Sequence, residues 1–420
     1  MAAATAALPT VVAEQELVTA TRREMAARER LLTARFLLVV ASGLCYFMAV
    51  GMLIPVVPQY VKGPLASGNV GVGVAVGSLF VGAVLLRPYA GRVGDRFGRR
   101  VLIIGGALIV AVTTAFYGAV DALPYLVLIR LLSGIGEAAF FVGAATMITD
   151  LAPEHRRGEA VSYWSVAVYG GLAFGPALGE AVLGDHRFVA AWAVSASLAL
   201  LAAVLGTITV ETARRLPTAP HAKLLHRAAL APGTVLFLGL IGLAGFTAFA
   251  PLYVRELGLG GADGLFLLYG GLILCVRIFG ARLPDALGGR VSATIALSCG
   301  AVGLAVMAGW RSVAGLVAGT AVFAAGMSLL YPALMLLALA AVPDNERGSV
   351  VGTFSSFFDL SQGLGALILG GVAALGGYRG AFAGGAVAAA IGVVVLQVGV
   401  GLRSRGSAGP TGAAADRVPA

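Results

Sequence analysis

The chain has 420 residues, of which 59% are hydrophobic, 12% are charged and 60 are Gly, with a formal net charge of +9 and a mean hydropathy of +0.93. A soluble domain carries roughly 25% charged residues, so the polar surface needed to solvate a globule is missing. This composition excludes a soluble enzyme, a nucleic-acid module and a secreted disulfide scaffold, and it fits a polytopic helical membrane protein.

Residues 1–34 are polar and mix Arg22, Arg23, Glu24, Arg28, Glu29 and Arg30, which predicts a cytoplasmic tail or interfacial helix. The apolar run from Arg35 to about Gln59 is too long for the core of a signal peptide and is expected to remain as the first span. Eleven further runs lie at about 71–89, 101–119, 124–149, 159–183, 188–209, 233–254, 263–281, 292–309, 313–340, 349–374 and 380–401. Each is near the length that crosses the hydrocarbon core. Backbone amides at that depth must be satisfied within their own segment, so all twelve runs are predicted to be helices. Gly171, Gly175 and Gly179 share one helical face, where small residues let helices approach closely.

Cys45, Cys275 and Cys299 all lie inside apolar runs and are expected to be core, with no disulfide and no metal site. Lys62 and Lys223 are the two lysines among 29 basic residues, a bias that points to a GC-rich bacterial genome. With both termini inside, the interior segments hold 23 Lys and Arg and the outside ones five, Lys62, Arg187, Arg255, Arg311 and Arg379. That asymmetry sets the expected topology. The polar stretch 211–231 divides the spans six and six, giving an amino-terminal bundle at 35–210, a cytoplasmic linker, a carboxy-terminal bundle at 232–402 and a tail at 403–420.

The two halves align with each other without gaps. RPYAGRVGDRFGRR at 87–100 lies over RIFGARLPDALGGR at 277–290, matching Arg87 with Arg277, Asp95 with Asp285, Gly98 with Gly288 and Arg100 with Arg290. The same offset places Pro153 on Pro343 and Arg157 on Arg347. A duplicated six-helix unit of this kind is the architecture of alternating-access carriers, with the site near the midplane between the halves.

Gly91, Asp95, Arg96, Gly98, Arg99 and Arg100 fit the pattern G-x-x-x-D-R-x-G-R-R. On this motif the chain resembles the major facilitator superfamily over about 36–402. Arg130 with Gly134 and Gly136, and Gly171, Gly175, Pro176 and Gly179, are similar to the fourth- and fifth-helix motifs of its drug:proton antiporter branch. The resemblance implies an all-α fold of twelve transmembrane helices in two pseudo-symmetric six-helix bundles. It also implies a non-enzymatic monomer of the bacterial inner membrane, moving a small molecule against protons, with no cofactor and no nucleic acid. It further implies a conformational latch in which Asp95 meets the start of the eleventh span and Asp285 the start of the fifth.

An ionisable group at bilayer depth costs about 3 kcal/mol, so it normally faces a cavity or a partner. Arg130, Glu137 and Asp359 qualify. Arg130 and Glu137 return to one helical face but are separated by about 10 Å of rise, so a bridging substrate group or water is favoured over direct contact. Apolar surroundings favour a neutral carboxyl and a nearby Arg favours a charged one, which makes Glu137 a candidate proton carrier; a permanent salt bridge is the alternative. Ser355, Asp359 and Gln362 form a polar stripe on the eleventh span, and Ser165 and Tyr169 form its counterpart on the fifth. Tyr46, Phe246, Phe249 and Tyr331 are candidate cavity aromatics. The absence of a phosphate-binding Gly-rich loop disfavours ATP-driven transport. Proton-coupled efflux is the expected function, with metabolite uptake or a non-transporting sensor of the same fold as alternatives.

Overall fold

A computed structural model describes residues 31–153, 156–212, 226–280, 283–340, 342–343 and 347–406. Among these residues every regular element is helical: α1 (Ala34–Lys62), α2 (Asn69–Phe97), α3 (Arg99–Ala115), α4 (Leu123–Leu151), α5 (Arg157–Leu183), α6 (Phe188–Ile208), α7 (Arg227–Glu256), α8 (Asp263–Phe279), α9 (Gly289–Gly309) and α10 (Val313–Leu339). One-turn helices at Phe116–Ala119 and Leu283–Leu287 complete the connections. The last helical stretch, Arg347–Gly406, breaks at Gly377 (φ 64, ψ −169) into α11 (347–376) and α12 (378–406). The chain reverses there, because Gly384 of α12 packs back on Leu369 and Val372 of α11. Ten apolar stretches are long enough to cross a membrane, the one at 350–398 containing both α11 and α12. The shorter α8, at 17 residues, is the remaining helix of the twelve.

Local chemistry sets several boundaries. The Thr33 hydroxyl accepts from Phe36 N at 3.2 Å to cap α1, and Ser312 does the same for Gly315 N at 3.0 Å to start α10. Pro124, in the first turn of α4, stands where its missing N–H is harmless. The repeat seen in the sequence has a backbone counterpart: Gly98 (φ 102, ψ 156) and Gly288 (φ 79, ψ 150) make the same positive-φ break before α3 and α9.

Packing within the amino-terminal half follows the glycine stripe. A Cβ at Gly175 would lie 2.7 Å from Met48 O and 2.8 Å from Gly51 Cα, and one at Gly171 would lie 2.5 Å from Phe47 Cβ, so α1 and α5 touch backbone to backbone. Ser42 and Ser195 hydroxyls donate across α1 and α6 to Ala202 O and Ala49 O at 2.8 and 2.9 Å, each bond contributing about 0.6 kcal/mol in a membrane bundle. The lipid-facing surface carries Leu85, Val112, Leu128, Phe279 and Leu375 among other exposed apolar side chains.

The halves meet along two seams. On α2 and α11, Asn69 Nδ2 donates to Ala373 O at 2.8 Å, and a Cβ at Gly77 would lie 2.5 Å from Gly363 O. On α5 and α8, a Cβ at Gly270 would come within 2.5 Å of Ala173 Cα. The ends of the helices near residues 97–99 are called the basic face below, and those near 62–69 the opposite face.

Candidate functional site

The helix α2 runs unbroken from Asn69 to Phe97, well past the predicted end of the second span at residue 89. Arg87, which opens the repeated basic segment 87–100, is therefore a helical residue pointing into the protein. Its Nη2 donates to Glu137 Oε1 at 3.2 Å and Oε2 at 3.1 Å. Its Nε lies 2.9 Å from Asp359 Oδ2 on α11 of the other half. The guanidinium carbon stands 4.7 Å from the centre of the Phe141 ring. Side-chain exposures of 12%, 9% and 2% for Arg87, Glu137 and Asp359 put the triad out of bulk water.

The two carboxylates are held differently. Glu137 accepts directed hydrogen bonds. The Asp359 Oδ2 and Arg87 Nε atoms are close but not aligned as donor and acceptor, and neither has a hydrogen-bond partner. Asp359 is thus bound by charge alone, and removal of that charge would release it.

Glycines deliver Glu137 to this position. A Cβ at Gly136 would lie 2.7 Å from Gly106 O on α3, and one at Gly134 would lie 2.8 Å from Ala83 N on α2. The squeezed helix α4 carries the acid inward between them.

Arg130 does not contact Glu137 directly, in keeping with the rise between them. Its Nε donates to Ala75 O and its Nη2 to Val76 O at 3.4 Å, so it staples α4 to α2. A bidentate donor finds backbone carbonyls a turn nearer the opposite face before it can reach the acid. Glu137 takes Arg87 instead.

The remaining candidates separate into groups. Tyr331 Oη and Ser355 Oγ are 3.0 Å apart, linking α10 to α11 one turn before Asp359. Gln362 Nε2 donates to Leu240 O at 3.5 Å, and Ser165 bonds back to Val161 O within its own helix. Tyr46 stacks on Phe140 with centroids 3.8 Å apart, fully buried. Phe246 and Phe249 are also fully buried, against Phe323 and Tyr378 respectively. These three rings are packed core.

Tyr169 lies under the guanidinium of Arg277, 3.6 Å from carbon to ring centre. This contact joins α5 to α8 across the halves.

The loop motif is only partly accessible. Positions 91, 95 and 285 are described by backbone alone, so the side chains of Asp95 and Asp285 and the latch assigned to them lie outside the described residues. Arg96 stands 5.2 Å from the Phe97 ring. Glu211 accepts from Arg99 N at 2.8 Å and Arg100 N at 3.1 Å, capping α3 just after Gly98, and Arg99 Nε lies 3.6 Å from Asp150. These bonds stay within the amino-terminal half.

A second charged cluster sits near the opposite face. Its centre is Glu180, close to the end of α5 and only 4% exposed. Its Oε1 accepts from Gln59 Nε2 of α1 at 2.8 Å, and its Oε2 lies 3.4 Å from Arg255 Nη2 of α7. The signal that could have found it is its placement three positions before the end of a helix whose connection, Gly184 at φ +43, turns back over the bundle. Among the described residues no group of three His, Cys, Asp or Glu side chains is placed to hold a metal ion.

A twelve-helix duplicated bundle with buried charge between its halves defines a polytopic membrane protein of carrier architecture. The chain belongs to the major facilitator superfamily, whose model matches residues 39–315 and 285–420. It is 31% identical over 364 residues to an MFS-type transporter of Salmonella typhimurium, covering 84% of this chain and 93% of that one. It is 28% identical over 373 residues to an MFS-type transporter of Burkholderia mallei, covering 84% and 89%. Among solved structures it is similar to the nucleoside transporter NupG, with a TM-score of 0.69 at 15% identity over 88% of this chain and 99% of that one. It is likewise similar to a bacterial homolog of the human lysosomal transporter Spinster, with a TM-score of 0.70 at 16% identity over 89% and 96%. The protein is accordingly an integral membrane transporter of this fold.

Proposed function

We propose that the protein is a proton-coupled antiporter that exports a small organic molecule, its basic face lying in the cytoplasm. The observation that carries this reading is Arg87, which bonds Glu137 of its own half while pairing by charge with Asp359 of the other.

Protonation of Asp359 would cancel the attraction across α2 and α11 and leave Arg87 paired with Glu137 alone. The proton therefore acts on a link between the halves, which is what coupling to a rocking motion requires. A proton or substrate can shift the two-state equilibrium only by its differential affinity for the states, and a 2.9 Å ion pair that exists in one arrangement supplies such a difference. Export rather than uptake is supported by the glycine stripe Gly171, Gly175 and Gly179, which packs on α1 and resembles the antiporter motif.

The test is flux in proteoliposomes under an imposed pH gradient. Wild type should accumulate or expel substrate according to the gradient, and Asp359→Asn should lose that response while still exchanging substrate down its own gradient. Unchanged gradient-driven flux in Asp359→Asn would remove the coupling role, and substrate moving with the proton would reassign the protein to uptake.

A further inference from the structure

The duplication places the same arginine twice but its acid once. Arg87 on α2 faces Asp359 on α11; at the same register in the other half, Arg277 on α8 faces Tyr169 on α5. Positions 169 and 359 are repeat counterparts, as are 87 and 277. Both contacts cross between the halves.

Arg277 is left with incomplete compensation. Its Nε is buried without a hydrogen-bond partner, and among the described residues no carboxylate lies within ion-pair distance of it. The ring face of Tyr169 attracts a cation but does not neutralise it, and an uncompensated charge within a membrane bundle marks a functional position. Hydroxyls also lie on the neighbouring helices, where Tyr331 meets Ser355 at 3.0 Å.

We propose that Arg277, with Tyr169, is the cargo's anion site, so that the transported molecule is a small organic anion whose carboxylate, phosphonate or sulfonate pairs with Arg277 as Asp359 pairs with Arg87. This substrate class rests on the transporter reading above, but its test needs no proton gradient. An anion bound there restores the symmetry of the two seams, one link made by the protein's own acid and the other by the cargo. A neutral or cationic analogue of the same shape lacks the group that Arg277 calls for.

The experiment is equilibrium binding to the purified protein in lipid nanodiscs at constant pH. The probes are benzoate, benzenesulfonate and phenylphosphonate, with benzamide and benzylammonium as shape-matched neutral and cationic controls. Wild type should bind at least one anion saturably and about tenfold or more tighter than benzamide, the range expected when a buried charge pair is lost. Arg277→Gln should weaken that anion about tenfold or more, and Arg277→Lys should recover part of the loss. Tyr169→Asp, which supplies an internal carboxylate, should weaken it as well while remaining monodisperse. Absence of saturable anion binding, equal affinity for benzamide, or unchanged anion affinity in both Arg277→Gln and Tyr169→Asp would overturn the site. Anion binding that persists when Asp359→Asn abolishes coupling separates this proposal from the pump reading, as does coupled flux that survives loss of anion binding.

Discussion

Asp359 Oδ2 and Arg87 Nε approach to 2.9 Å from opposite halves of the molecule, without the alignment of a hydrogen bond. Removing either member has unequal consequences. Arg87→Gln leaves Glu137 and Asp359 as two buried acids with no cation, and breaking a buried pair in this way costs about 3–5 kcal/mol. Its yield and melting temperature in detergent should fall sharply. Asp359→Asn leaves Arg87 bonded to Glu137 and should fold with a smaller loss, so its defect should be one of coupling. A thermal profile in which the two variants are equally destabilised would show that Asp359, not Glu137, is the acid that keeps Arg87 in place.

At the other face Glu180 holds Gln59 of α1 and Arg255 of α7 together. The Arg255 side chain is 28% exposed, so solvent screens the pair and its contribution is at the surface-like end, about 1 kcal/mol. Glu180→Gln should therefore shift the balance towards opening of this face by roughly fivefold. The readout is labelling of Ala373→Cys by a membrane-impermeant maleimide, with Cys45, Cys275 and Cys299 replaced by Ser. Ala373 is 1% exposed and accepts from Asn69 across the seam, so it is labelled only when α2 and α11 part. An unchanged labelling rate would show that the Glu180 cluster does not hold this face closed.

The contrast between these clusters shows what the sequence can carry. Helix number, duplication and the buried acids Glu137 and Asp359 were all legible, because apolar length and charge at depth are properties of single segments. The partner of each acid was not, because it depends on how helices lie against one another. Arg87 was not among the buried charges read from the sequence because it stood near the predicted end of its span, whereas α2 continues to Phe97. Arg130 shared a face with Glu137 but gives its Nε and Nη2 to the Ala75 and Val76 carbonyls, contacts made by a neighbouring backbone that no side-chain pattern encodes. The register match of Arg87 with Arg277 was legible, and with it Tyr169 and Asp359; that each arginine reaches the matched position of the opposite half depends on how the two bundles pack.

The seam between α1 and α5 tolerates no added volume. A Cβ at Gly175 already meets Gly51 Cα at 2.8 Å and Met48 O at 2.7 Å, and both are backbone atoms that cannot swing aside. Gly175→Val should force the helices apart at a cost of about 1–3 kcal/mol, the usual range for overpacking. Melting of the purified protein should drop accordingly. Gly170, whose nearest neighbour would be Leu44 Cδ1 at 3.6 Å, is the control on the same helix, and Gly170→Ala should melt close to wild type. Equal losses at the two positions would indicate that helix propensity, rather than the α1–α5 contact, governs the effect.

The repeat also offers a comparison in which backbone strain is nearly constant and surroundings differ. Gly98 and Gly288 share an extended positive-φ conformation, at φ 102, ψ 156 and φ 79, ψ 150, where a Cβ is strained by about 1–3 kcal/mol. At Gly288 a Cβ meets nothing within 4 Å, so Gly288→Ala should cost no more than that strain. At Gly98 it would strike the Glu211 carboxylate, with Cδ at 2.6 Å. Glu211 would have to leave Arg99 N and Arg100 N, uncapping the positive end of α3 at a further cost of about 1 kcal/mol. Gly98→Ala should therefore be the more destabilising, and adding Glu211→Gln should close much of the gap, since the cap is already weakened in that background. If the two alanine variants melt alike, Glu211 caps α3 in geometry but contributes nothing measurable to its stability.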